Sequence, residues 1–221
     1  MIQDFPGMVK FFASRNPVHL LMFVLPLWSF FLYYSLNTPS NALITGLLIL
    51  SGGLYWSFLE YVIHRYFYHT HFRSKLLNYF IGSFHTYHHQ DMSDHRVLNA
   101  GFLMVYVVTP TVLSPLLLFT QNVQLLASLS VGLVSAHYFY EWVHYTLHYK
   151  VHTSGYLNYI QKYHFHHHDK AAMKNFGNTS HIWDVVFGTY DDAYKNYSMS
   201  QATKKSLITE KPSEELLHAK A

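Results

Sequence analysis

Four apolar stretches, each about twenty residues long, constrain this 221-residue chain more than any other feature. They run over Val18–Leu36, Ala42–Val62, Ala100–Phe119 and Val123–Val143. As helices, stretches of this length cross the roughly 30 Å hydrocarbon core of a bilayer. Pro26, Pro110 and Pro115 fall inside them, where a membrane helix kinks rather than ends. Charged residues make up 12% of the sequence, roughly half the usual fraction, so too few are present to cover a water-facing surface. Two short uncharged links, 37–41 and 120–122, join the stretches into two hairpins.

The basic residues orient these hairpins. All fifteen Lys and Arg lie in the N-terminal segment, in the 63–99 loop or beyond residue 143, and neither hairpin turn carries one. By the positive-inside tendency both termini and the long loop are expected in the cytosol. A net charge of +3 without a basic cluster speaks against nucleic acid as a partner. Residues 1–16 read as an interfacial helix or an unstructured segment, with no signal-peptide cleavage site. A single membrane-embedded domain is expected over 1–197, followed by a polar, mobile tail over 198–221.

The chain contains 18 histidines and no cysteine, so any metal must be held by nitrogen or oxygen. The second stretch leads into His64 and His69, and the fourth into His144 and His148. Each pair is followed by a His-x-x-His-His triplet, first His85, His88, His89 and then His164, His167, His168. His69 precedes His85 by 16 residues and His148 precedes His164 by 16, and His69 and each triplet residue recur 79 residues later. The chain thus reads as one unit used twice, a membrane hairpin followed by a histidine pair and a triplet.

Positions i, i+3 and i+4 share a helical face, so each triplet is expected to aim its imidazoles together, as is the His144/His148 pair. His64 and His69 are five apart, about 140° round an ideal helix, and need a bulge or helix end to converge. Ten histidines exceed the capacity of one ion and fit two, each with about five nitrogens. Glu60 and Glu141, which precede the pairs, and Asp169 and Asp184 are candidates to hydrogen-bond the ligating rings. His137 is expected to hydrogen-bond inside the bundle. His71, His95, His152, His166 and His181 lie near the motifs without a repeat counterpart, and His19 and His218 lie apart from them. The predicted fold is therefore an all-α integral membrane protein: four transmembrane helices in two hairpins, and a cytosolic helical cap carrying a di-metal site.

At these motifs the chain resembles the fatty acid hydroxylase superfamily, which includes sterol desaturases and carotenoid hydroxylases. Within it the chain looks closest to the fatty acid and sphingolipid 2-hydroxylases. The resemblance covers roughly residues 56–191 and continues through Asn175-Phe176-Gly177-Asn178-Thr179-Ser180 and Trp183-Asp184-x2-Phe187-Gly188-Thr189. It implies a membrane-bound non-haem di-iron monooxygenase in which the ten motif histidines are ligands, O2 is co-substrate, and zinc can replace iron during purification. The implied substrate is the acyl chain of a fatty acid or sphingolipid, hydroxylated at C2. Relatives often carry a cytochrome b5 domain. The sequence shows no room for one, so electrons are expected from a separate donor such as cytochrome b5 or a ferredoxin/reductase. Thr86 and the run Arg96–Gly101 depart from the pattern of the 2-hydroxylases, in a loop suited to shaping the acyl site. The implied membrane is the endoplasmic reticulum in a eukaryote or the inner membrane in a bacterium.

Other readings of the same residues are a lipid or sterol desaturase, a carotenoid-type hydroxylase, a metal-dependent hydrolase, a metal-binding transporter and a non-catalytic scaffold. A hydrolase needs about three histidines per zinc. A transporter binds near the membrane midplane, whereas these motifs cluster at the helix ends.

Overall fold

The structure, a computed structural model, describes residues 14, 16–38, 41–75, 78, 83–92, 94, 98 and 104–210. Helices dominate the described residues. In chain order they are α1 (Pro17–Asn37), α2 (Ala42–Val62, continuing as a π-helical turn over Ile63–Tyr68) and α3 (Ser83–Gln90). There follow α4 (Thr109–Leu113), α5 (Val123–Tyr149), α6 (Gly155–Asp169), α7 (Ile182–Val186) and α8 (Gln201–Lys205). The chain divides into two compact units. One comprises the described parts of Pro6–Glu60 and Asn99–Trp142, the other those of Tyr61–Leu98 and Val143–Ala221.

In the first unit, α1 opens on Asn16, whose side chain accepts from the His19 amide at 2.8 Å, with Pro17 in the first turn where a missing N–H costs nothing. Its core is Leu20, Val24, Trp56, Val105, Leu133 and Val134. Polar side chains tie the helices where water is absent. Trp28 Nε1 donates to Ser135 Oγ at 2.9 Å, Ser35 meets Ser128 at 2.8 Å, and Gln124 donates to Thr45 at 3.0 Å. His137 stacks on Trp56 at 4.2 Å and faces Glu141 at 3.4 Å, the interior role expected of it.

Backbones of α2 and α5 meet at two glycines. A Cβ on Gly132 would lie 1.8 Å from the Ile49 carbonyl oxygen, and one on Gly52 would lie 2.0 Å from that of Leu129. Gly132→Ala is therefore expected to force these helices apart and to cost at least about 1–3 kcal/mol, read as a lower unfolding temperature in detergent. Gly46→Ala, with no atom within 4 Å of the new methyl group, is expected to be neutral or mildly stabilising.

Among the described residues three helices are long and apolar enough to span a membrane: Pro17–Asn37, Ala42–Tyr68 and Val123–Tyr149. They present large apolar side chains outward, with Val18 at 72%, Leu43 at 70% and Leu50 at 71% exposure, as an integral membrane protein does toward lipid. The third expected span, 100–119, differs. Its described part is a π turn over Met104–Val108, then α4, then a 3-10 turn over Ser114–Leu118. Pro110 and Pro115 each lie in the first turn of a new segment, because a proline cannot donate back to the helix before it. Among the described residues the apolar helix here runs over Val105–Leu118, and residues 100–103 lie outside them.

In the second unit α6 is exposed at its first turn and buried further on, with His164, Phe165, His166 and His167 buried in succession. The connection from α5 is pinned by Gln161, buried to 1%, which donates to the Leu147 and Lys150 carbonyls and accepts from the His152 amide. Residues 198–210, expected to begin the polar tail, instead form α8 and a 3-10 turn at Ile208–Glu210. Leu207 is fully buried with Phe165 and Tyr197, an apolar anchor inside a polar stretch. The rest of the expected tail, the segment before residue 14, the Arg96–Val97 and Asn99–Gly101 positions, and His95 and His218 lie outside the described residues.

Candidate metal centre

The histidine pairs and triplets converge into two groups. One contains His64, His69, His85, His89 and His167, and the other His88, His144, His148 and His164; within each, the candidate ligand atoms lie within 4.8 Å of one another. In the first group the Nε2 of His85 lies 3.0 Å from that of His64, 3.0 Å from that of His69 and 2.9 Å from that of His89. In the second, His148 and His164 approach through Nε2 at 2.8 Å, and His144 and His88 at 3.2 Å.

These spacings do not describe a hydrogen-bond network, because a ring nitrogen has one in-plane position and His85 would need three partners there. They match a coordination shell. Imidazole nitrogens at the usual metal distance of about 2.0–2.1 Å, arranged at right angles, stand about 3.0 Å apart. The donor set fits a metal ion in each group.

Local structure explains how the spacings work. The five-residue step from His64 to His69 is accommodated by the π turn, whose bonds run from i to i+5, with His69 as its C-cap. The 16-residue step closes in both copies, His69 onto His85 and His148 onto His164. Each triplet, however, divides rather than aiming as one. His85 and His89 stay with their own pair while His88 joins the second group, and reciprocally His167 joins the first. Adjacent helical residues point about 100° apart, so the i+3 and i+4 rings diverge to opposite sides. Each group is built from one copy of the repeat and completed by the other.

His168 is the repeat counterpart of His89 and lies between the groups. Its ring stacks on His89 at 4.0 Å and meets His164 at 4.4 Å and His88 at 4.8 Å edge-on. Both of its ring nitrogens are buried without a hydrogen-bond partner, as are His167 Nε2 and the Nδ1 of His88 and His148.

The other face of several rings is held by the chain. His64 Nδ1 donates to the Phe176 carbonyl, His144 Nδ1 to that of Leu98 at 3.1 Å, His167 Nδ1 to that of Lys174 at 2.7 Å, and His164 Nδ1 to Asn178 Oδ1 at 2.8 Å. Placing the proton on Nδ1 leaves the Nε2 lone pair for a metal. Burial first, then repulsion among neighbouring rings, holds His85, His88, His164, His167 and His168 well below the usual imidazole range. Burial likewise lowers His69 to about 4 and His89 to about 3, so these rings are neutral and ready to coordinate near pH 7.

Three of these four supports come from 174–178. Asn175 takes φ 58°, a left-handed conformation asparagine tolerates, and its side chain bonds both backbone groups of Asp191. Asp184 is fully buried and accepts from the Phe176 and Gly177 amides, each at 2.8 Å, and from Thr189 Oγ1 at 2.7 Å. It therefore acts on the rings through the loop. Asp169 is engaged by the hydroxyls of Tyr197 and Thr203, and Glu60 and Glu141 are buried in the other unit, Glu141 beside His137. The carboxylates were the natural candidates from sequence, but carbonyls do most of this work, and a carbonyl acceptor leaves no mark on residue type. Asn178 did have a signal, since it stands in the motif following the second triplet. Outside the groups, His152 bonds the Thr146 carbonyl, His181 pairs with Tyr159, His166 contacts Asn175, and His71 is exposed.

Helices long and apolar enough to span a membrane, together with two histidine groups that could each hold a metal ion, set the class of this protein. Residues 47–189 match the family model for fatty acid hydroxylase. The chain belongs to the fatty acid hydroxylase family. It is 31% identical over 150 residues to the dihydroceramide fatty acyl 2-hydroxylase FAH2 of Arabidopsis thaliana, covering 65% of this chain and 60% of that protein. To the ceramide very long chain fatty acid hydroxylase scs7 of Schizosaccharomyces pombe it is 30% identical, covering 72% of this chain and 46% of that one. The mouse fatty acid 2-hydroxylase is 29% identical over 71% of this chain and 42% of its own length. The chain thus spans 60% or less of the length of these relatives. The solved structure of full-length scs7p, in which only the hydroxylase domain is visible, has the same fold, with a TM-score of 0.67 at 21% identity over 86% of this chain and 71% of that one.

Proposed function

We propose that this protein is a membrane-bound di-iron monooxygenase that hydroxylates the acyl chain of a fatty acid or sphingolipid at C2. The observation that carries the reading is the exchange of His88 and His167 between the two groups, which ties both centres into one site. Two adjacent centres suit chemistry that shares electrons between metals, and ten imidazoles exceed what hydrolysis at zinc requires. Bound iron supplies the redox reactivity with O2 that no side chain has. In the net reaction one oxygen atom of O2 enters a C–H bond and the other leaves as water, consuming two electrons and two protons.

The residues of this chain supply the setting. The Phe176, Lys174 and Leu98 carbonyls and Asn178 orient the ligand rings, and burial keeps water from the reactive centre. The names of the Arabidopsis, yeast and mouse relatives support an acyl substrate, and those of the Arabidopsis and mouse proteins the C2 position. Electrons come from a separate donor such as cytochrome b5 or a ferredoxin/reductase pair. The distribution of Lys and Arg supports a cytosolic location for both termini and the histidine motifs.

Lipid mass spectrometry of cells with and without the active protein tests this. The expected result is a gain of one oxygen on acyl chains, at C2 by fragmentation. A loss of two hydrogens would replace the reading with a desaturase. Unchanged lipids, with two metals bound and reductant supplied, would overturn it in favour of a scaffold.

A further inference from the structure

Helix α7 is inverted relative to a water-facing helix. In Ile182–Val186, the one charged residue, Asp184, is fully buried, while Ile182 is 53%, Val185 56% and Val186 62% exposed. Phe187, which follows at 43% exposure, extends this uncharged face. The inversion follows from the metal-supporting loop, since Asp184 must point inward to hold the Phe176 and Gly177 amides. A five-residue helix with its polar side chain turned in has an apolar side turned out.

The place of this face in the fold identifies what covers it. The Phe187 ring stacks on Tyr61 at 5.1 Å, 13° from parallel. Tyr61 lies near the end of the 21-residue α2, which at about 1.5 Å per residue is about 31 Å long, the thickness of the hydrocarbon core. A span that begins at Ala42 therefore brings Tyr61 close to the boundary between acyl chains and headgroups. One turn further, Arg65 donates to Tyr61 and lies 4.9 Å over the Tyr66 ring, and Tyr66 and Phe67 are themselves exposed. Aromatic rings with an arginine beyond them are the usual residues of that boundary. The apolar face of α7 thus adjoins this aromatic cluster at the end of a spanning helix.

We propose that α7 and Phe187 form an interfacial anchor, seated in the bilayer at the junction of headgroups and acyl chains. The anchor sets the depth of the loop that carries Phe176 and Asn178, and so fixes the level at which the histidine groups stand relative to lipid. It rests on the membrane location of α2, not on the hydroxylase reading.

The absence of cysteine allows a direct measurement. Val186→Cys in the full chain, labelled with the fluorophore NBD and reconstituted in phosphatidylcholine vesicles, is expected to emit at a shorter wavelength than a water-exposed label and to be quenched at least about twofold by a lipid carrying a doxyl group high on its acyl chain. Aqueous iodide is expected to leave it nearly unchanged. Leu50→Cys, on α2, provides the lipid-exposed reference and Lys205→Cys the water-exposed one; Ile182→Cys repeats the measurement should Val186→Cys fold poorly. Quenching of both α7 labels by iodide, as at Lys205→Cys, would overturn the anchor. So would protection from both quenchers, which would mean that a second protein surface covers the face. Neither outcome depends on whether the protein turns over lipid.

Discussion

His85→Ala is expected to remove metal from the first centre, lowering the content of purified protein from about two ions per chain to about one or fewer, and to abolish product. The reason is the position of this ring. Its Nε2 faces those of His64, His69 and His89 at 2.9–3.0 Å, so no neighbouring side chain can take its place without breaking the spacing. Loss of a group that merely supports a ligand typically costs 10–100-fold, so loss of a ligand common to three contacts should cost more than about 100-fold in product formation. Metal content by mass spectrometry and lipid analysis on one preparation check this, with circular dichroism to show that the helices remain. His152→Ala is the comparison. Its ring bonds the Thr146 carbonyl at 3.0 Å and belongs to neither group, so both metals and product should persist. Retention of two metals and full activity in His85→Ala would remove the basis for the di-metal reading.

Gly177→Ala is expected to damage both centres at once, though it changes no ligand. A Cβ at this position would lie 1.9 Å from the Ser180 carbonyl oxygen and 3.2 Å from Asp184 Oδ2. The first of these is backbone, so the loop itself must move. Phe176 on one side supports His64 of the first group, and Asn178 on the other supports His164 of the second. Displacing them releases the proton-bearing face of one ring in each centre. The expected result is at least a tenfold loss of metal affinity at both, by the ~10–100-fold scale for supporting groups, with a lower unfolding temperature. Asp184→Ala reaches the same loop differently. It strands the buried Phe176 and Gly177 amides, at about 1–3 kcal/mol each. Gly188→Ala is the contrast. It has φ 70° but no atom within 4 Å of the new methyl group, so only about 1–2 kcal/mol of backbone strain is expected, with both metals retained. A Gly177→Ala protein with normal metal content would show that the loop does not position these rings.

Much of this architecture was legible before any coordinates. Apolar length and sparse charge marked the spanning helices at 18–36, 42–62 and 123–143, because a bilayer imposes its thickness on any helix that crosses it. Within the described part of the 100–119 stretch the helix restarts at Pro110 and at Pro115, a division that hydropathy does not register because it does not count a missing backbone donor. Leu207 is likewise hidden from the sequence, a single apolar residue in a polar stretch whose burial depends on Phe165 and Tyr197.

The histidines divide along the same line. Repetition at 16 and 79 residues singled out ten rings, nine of which stand in the two groups while His168 lies between them, because spacing along a helix is local geometry. It also showed that the His64–His69 step needed a distorted turn, which the π segment supplies. Which ring serves which centre was decided in three dimensions. His88 and His167 leave their own triplets because neighbouring helical side chains diverge and the two halves of the repeat pack face to face. The supports at Leu98, Lys174 and Phe176 depend on tertiary structure for a simpler reason. They are carbonyls, which every residue carries, and only packing decides which of them meets a ring.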